Sequence, residues 1–274
     1  MTEVSTLLTG RGLLESPRVH GGRLYFSDWS AGEVVAVDLS GRSEVVARVA
    51  SLPLCTEWLP DGRLLIVSSA EGRLLSREPD GSLVTYADLG APGWNDIVVD
   101  DRGNAYVNRA GFDPMAGEAV KPGFVHLVTP DGAVREVADD LAFPNGMAMT
   151  ADGSTLIVAD SYRHRLVAFT VDPDGSLSGR RVWADLGEGT PDGICVDAEN
   201  AVWYADVPNR RCVRVAEGGK VLRTVTLDRG AFACALGGRT LFVTAARWQG
   251  MTGGELVAPG SGQVLTAPVE VPAS

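Results

Sequence analysis

Short apolar runs rich in Val, Ile and Leu, broken every few positions by Gly, Pro, Asp or Asn, fill this chain from end to end. Apolar and polar positions alternate as they do in half-buried strands, and turn formers mark where each strand stops. One unit recurs: a hydrophobic strand, a polar turn and a second hydrophobic strand. It occupies 17–28, 58–67, 97–107, 147–158, 194–204 and 234–243, six copies roughly 40 to 50 residues apart. A second hairpin lies between copies, clearest at 72–86, 123–135 and 165–177. Four strands per unit and six units predict an all-β fold, a six-bladed β-propeller with four-stranded blades over a single domain, 1–274. The opening segment Val4–Leu8 is expected to add a strand to the last blade and close the ring.

The repeat gives certain residues a shared phase. Trp94-Asn95-Asp96-Ile97, Pro144-Asn145-Gly146-Met147 and Pro191-Asp192-Gly193-Ile194 each stand just before a first strand, as does Leu14-Glu15-Ser16-Pro17. Glu15, Asn95, Asn145 and Asp192 fall 13–15 residues before the end of their second strands. In a propeller the first strand of a blade is innermost, so these residues are expected at the mouth of the central channel. The matching positions in blades two and six are near Cys55 and Ala233. Two carboxylates and two amide oxygens suit a hard divalent cation: Ca²⁺ most simply, then Mg²⁺ or Mn²⁺, with Zn²⁺ also able to bind. Asn-Gly and Asp-Gly are also ordinary turn formers, as at Asp61-Gly62, Asp80-Gly81 and Asp152-Gly153, so phase is what sets the axial residues apart.

Charge narrows the partners. Lys+Arg 24 against Asp+Glu 35 gives a net charge of −11, which argues against nucleic acid or an anionic membrane as the main partner. No apolar run reaches the roughly 18 residues of a membrane helix, and the N-terminus has no basic segment followed by an apolar stretch. Cys55, Cys195, Cys212 and Cys234 are scattered, without a C-x-x-C pair. These features lead to an expectation of a cytoplasmic protein, a monomer or small homo-oligomer, acting on a small molecule. His20, His126 and His164 lie off the channel phase and lack metal-like spacing. No G-x-S-x-G elbow points to a serine nucleophile.

Glu15-Ser16-Pro17, Leu24 to Asp28, Asn95-Asp96, Pro144-Asn145-Gly146, Pro191-Asp192-Gly193 and the late segment 232–247 together resemble the senescence marker protein-30/gluconolactonase family, which includes the luciferin-regenerating-enzyme-like proteins. The resemblance runs over nearly the whole chain, in family order. It implies a catalytic divalent metal on the axis held by Glu15, Asn145 and Asp192, with Asn95 on the metal or on the water and substrate beside it. It also implies Asp192 as general base in the opening of a lactone. Sugar-lactonase members often carry an arginine where this chain has Gly93, followed here by Trp94. Losing that fork of donors and gaining an indole implies a more apolar ring in the pocket, with Trp94 as a substrate contact. The insert 109–118 is expected to bring Arg109, Phe112 or Glu118 to the substrate, and Trp248 is a weaker candidate for the rim. Two further readings stay open: a repurposed metal-dependent enzyme acting on organophosphates, arylesters or a specialised biosynthetic substrate, and a non-catalytic calcium-binding propeller.

Overall fold

The computed structural model describes residues 3–251 and 254–273. Among them are twenty-four strands in six four-stranded sheets. Strand β1 (Ser5–Arg11) opens the chain. The first blade follows as β2 (Leu14–His20), β3 (Arg23–Asp28), β4 (Glu33–Val37) and β5 (Ser43–Arg48). Blade two is β6 (Leu54–Trp58), β7 (Leu64–Ser68), β8 (Arg73–Arg77) and β9 (Leu83–Asp88); blade three is β10 (Trp94–Val99), β11 (Ala105–Arg109), β12 (Gly123–Val128) and β13 (Val134–Leu141). Blade four comprises β14 (Pro144–Met149), β15 (Thr155–Asp160), β16 (Arg165–Val171) and β17 (Leu177–Asp185). Blade five comprises β18 (Pro191–Val196), β19 (Val202–Asp206), β20 (Arg211–Val215) and β21 (Val221–Thr226). The last holds β22 (Gly230–Gly237), β23 (Thr240–Ala246) and β24 (Gly262–Pro268), with β1 as its outer strand.

This is the six-bladed propeller expected from the repeat, and β1 closes the ring by pairing antiparallel with β24. The closure couples the two ends of the chain, because the N-terminal strand supplies the outer strand of the last blade. The innermost strands β2, β6, β10, β14, β18 and β22 each pack on the next, and β22 returns to β2.

The period of two in each strand divides its side chains between two neighbours. On β11, Tyr106 faces blade four, whereas Ala105 and Val107 pack towards blade two. On β15, Leu156 and Val158 meet blade three while Ile157 and Ala159 meet blade five. Every pair of adjacent blades therefore shares its own apolar core, and these cores hold the innermost strands in place. The recurrent Asp at the end of a second strand is part of this scaffold. Asp160 accepts from the Ala142 amide at 2.7 Å and from Arg165 at 3.1 Å, and Asp206 accepts from Arg211 at 2.9 Å. No helix is long and apolar enough to cross a membrane among the described residues.

Candidate metal centre and its cavity

The inner strands are irregular where the singled-out residues stand. Pairing of β10 with β11 skips between Trp94 and Asp96, leaving Asn95 unpaired. It skips between Pro144 and Met147 around Asn145, and between Pro191 and Ile194 around Asp192. On β2 the break follows Glu15, where Ser16 adopts a positive φ of 50°. A bulge redirects a side chain out of the pleat, and here it turns four oxygen-bearing side chains from the sheets towards the axis. Blade two, which offers Cys55 at this phase, pairs without a break. Glycine at the bulges lets neighbouring strands close in: a Cβ on Gly193 would lie 2.3 Å from that of Ala233, and one on Gly146 2.6 Å from the Asp192 carbonyl oxygen.

Glu15, Asn95, Asn145 and Asp192, from four different blades, line one cavity of about 390 Å³ at this end of the channel. Asn95 Nδ2 donates to Asn145 Oδ1 at 3.0 Å, and the Ser16 amide donates to Glu15 Oε2 at 3.2 Å. Asn108 Nδ2 holds the Asn145 carbonyl at 2.5 Å, and Cys55 Sγ contacts the Asn95 carbonyl. Neither Glu15 nor Asp192 has an ion-pair partner among the described residues. Burial, then repulsion from Asp192, pushes the Glu15 carboxyl well above the usual carboxylate range. Burial pushes Asp192 up to about 8, opposed by its hydrogen bond with Asn145. Two carboxylates that are costly to ionise alone, flanked by two amide oxygens, are the environment that a bound cation relieves. Two carboxylates and two amide oxygens are all hard donors, so the set fits an oxygen-preferring ion, and no group of three His, Cys, Asp or Glu placed to hold a metal is found among the described residues.

Just beneath this layer lies a second polar group that the repeat phase did not reveal. Arg18 Nε donates to Glu57 at 2.6 Å, and Nη2 donates to Asp96 at 3.2 Å and to the Ile97 carbonyl at 2.7 Å. The other oxygen of Asp96 accepts from the Met147 amide at 2.7 Å. Arg18 and Glu57 also line the opening at the far end of the channel.

The cavity walls are mostly apolar. Trp29, Phe112, Phe143, Phe232 and Trp248 supply aromatic surface, and Leu13 and Leu256 add to it. Arg109 and Glu118 also line it, so all three expected residues of the 109–118 insert reach the cavity. Trp94 does not. Its ring is buried between blades two and three against Phe124 and His126, and its Nε1 donates to the Ala91 carbonyl at 2.8 Å. Side chains alternate along β10, so with Asn95 turned to the axis its neighbour turns into the core. The expected loss of a donor fork at Gly93 also needs correction: a Cβ there would lie 3.2 Å from Arg109 Nε, so the fork arrives from β11 in the space Gly93 leaves.

The three histidines stay off the axis: His20 stacks on Trp58, His126 packs against Trp94 and Phe124, and His164 meets the Gly189 carbonyl. The four cysteines are free thiols, but folding brings Sγ of Cys195 and Cys234 within 3.7 Å, which their spacing in the chain does not suggest.

A propeller with an all-oxygen donor set on its axis, beneath an apolar cavity, is the class that fold and site define. The chain belongs to the SMP-30/gluconolactonase/LRE-like family, whose model matches residues 13–247. It is 28% identical over 249 residues to regucalcin of Xenopus laevis, covering 78% of this chain and 79% of that protein. It is 31% identical over 161 residues to regucalcin of Danio rerio, covering 56% of this chain; the match spans about half of that relative's length (54%). Among solved structures, a calcium-binding protein, regucalcin, from Agrobacterium tumefaciens superposes with a TM-score of 0.82 at 23% identity, covering 100% of this chain and 96% of that one. A gluconolactonase of Xanthomonas campestris superposes with a TM-score of 0.79 at 21% identity, covering 99% and 90%. At these identities the structural likenesses show the fold alone.

Proposed function

We propose that the protein is a divalent-metal-dependent hydrolase that opens a lactone or related cyclic ester of apolar character. The observation that carries this reading is the convergence of Glu15, Asn95, Asn145 and Asp192, from four blades, on one cavity. Family membership and the names of relatives, gluconolactonase and a calcium-binding regucalcin among them, support it. Glu15, Asn145 and Asp192 would hold the cation, most simply Ca²⁺, with Asn95 beside them. Once bound, the ion supplies Lewis acidity, polarising a carbonyl oxygen and acidifying water.

The chain's own groups do the rest. Asp192 is the general base, taking the proton of the attacking water. Its raised proton affinity suits that task, and a neighbouring cation favours its ionised form. Asn95 and Asn145, fixed to one another at 3.0 Å, orient substrate and water through their remaining donor and acceptor sites. The aromatic walls bind the body of the substrate and exclude bulk water, which strengthens each polar contact inside.

The test is the initial rate of hydrolysis over aliphatic, aromatic and sugar lactones and arylesters. It uses chelator-stripped protein with Ca²⁺, Mn²⁺ or Zn²⁺ added back. Metal-restored lactone turnover, with the apolar rings preferred, is the expected result. Calcium binding without turnover of any ester would make this a binding propeller instead.

A further inference from the structure

Arg109 is singular among the arginines. Each of the other arginines that is not freely exposed donates to a carboxylate or a backbone carbonyl: Arg18 to Glu57, Arg63 to Asp61, Arg77 to Val46, Arg211 to Asp206 and Arg214 to Asp197, for example. Arg109 is half-buried, its Nε is buried with no hydrogen-bond partner, and no acid among the described residues pairs with it. The acids of its own loop each turn one oxygen to that loop's backbone, and neither forms an ion pair with Arg109. Glu118 accepts from the Asp113 amide at 3.1 Å, and Asp113 accepts from the amides of Met115 and Ala116.

A guanidinium cannot shed its charge to escape such a site, and a half-buried cation without a counter-charge is costly. Elsewhere the fold meets that cost from within; here it leaves the partner out and keeps the seat clear. Gly93, at a φ of 106°, leaves free the space that a side chain would contest with Nε. Phe124 lies under the guanidinium at 5.9 Å, supporting it without neutralising it. Arg109 sits opposite Trp94 in the β10–β11 ladder, one residue from Asn95, and lines the same cavity as the axial oxygens.

We propose that Arg109 is the anion receptor of this cavity and that the substrate presents a carboxylate to it from an otherwise apolar body. One unpaired cation matches one negative charge, and the planar fork matches a carboxylate in a paired, two-point contact. The inference rests on the reading of the cavity as a substrate pocket, and it adds what distinguishes the substrate from a neutral ring.

The test is binding of phenylacetate and of its neutral isostere phenylacetamide, followed by NMR titration of the full chain, calcium-loaded and chelated. Phenylacetate is expected to bind at least about tenfold tighter than the amide in both states. Arg109→Met should erase that preference and Arg109→Lys should keep part of it. Gly93→Ala, which displaces the guanidinium without removing it, should weaken the preference. Calcium-induced thermal stabilisation of each variant shows that it has folded. Equal binding of acid and amide, a preference retained in Arg109→Met, or a preference that disappears on chelation would each overturn the proposal. An acid preference that survives when no ester is hydrolysed would sink the hydrolase reading and leave the anion receptor standing.

Discussion

Arg18, Glu57 and Asp96 lie one layer below Glu15, Asn95, Asn145 and Asp192 on the same axis, and the two layers treat charge in opposite ways. In the lower layer the protein supplies both signs: Arg18 bridges Glu57 and Asp96, and the Met147 amide takes the remaining Asp96 oxygen. Burial raises Asp96, and Arg18 opposes that rise. In the upper layer the carboxylates of Glu15 and Asp192 form no ion pair among the described residues, and burial raises both. A closed layer serves the fold, because each member is satisfied by another. The open layer is unfavourable alone and becomes favourable with a ligand of positive charge.

Substitution should separate the two layers. The largest expected effect is on turnover: Asp192→Ala should lower metal-dependent hydrolysis by at least about a thousandfold, since the proposed base and a proposed cation ligand are lost together. Its unfolding midpoint without metal should hold or rise, and a steady-state rate measurement paired with a melt checks both. Arg18→Met should do the reverse in kind, leaving Glu57 and Asp96 without their cation. With Asp96 buried and Arg18 and Glu57 half-buried, a cost of about 2–4 kcal/mol in denaturant unfolding is expected.

A smaller effect should appear with pH. Asp192 in the metal-free fold binds its proton more tightly than in the unfolded chain, so its contribution to stability is complete below the ordinary carboxylate range. That contribution is lost as pH rises through about 8. Chelated protein should therefore melt at progressively lower temperature up to about pH 8, and the rise in Tm on adding calcium should grow over the same interval. A calcium effect independent of pH would break the link between the open layer and the ion. The smallest effect belongs to Trp94→Phe. Because that ring packs between blades two and three, the change should cost about 1–2 kcal/mol of stability and leave lactone preference unaltered.

Much of this architecture was legible in the chain because a propeller repeats itself. Each hairpin carries its own alternation and turn, so six imperfect copies reinforce one reading, and phase alone places Asn95, Asn145 and Asp192 at one level. The same phase could not show the bulges that aim them, although Pro17, Gly146 and Gly193 mark where the ladder breaks. What lay beyond reach was contact between residues far apart in the chain. Trp94 follows Gly93 and precedes Asn95, yet alternation sends it into the core. Arg109 is distant from Gly93 in the chain and adjacent in the sheet, so the seat of one and the absence of a side chain in the other can be read only together. Arg18 and Glu57 sit on different inner strands and meet only when blades one and two pack together.

The central claim is that the upper layer is completed by a cation, and isothermal titration of chelator-stripped protein with Ca²⁺ near pH 8 tests it most directly. One ion bound per chain, with binding lost in the double variant Glu15→Gln/Asp192→Asn while the fold persists, is the predicted result. Failure to bind any divalent ion, or undiminished binding in the double variant, would contradict it.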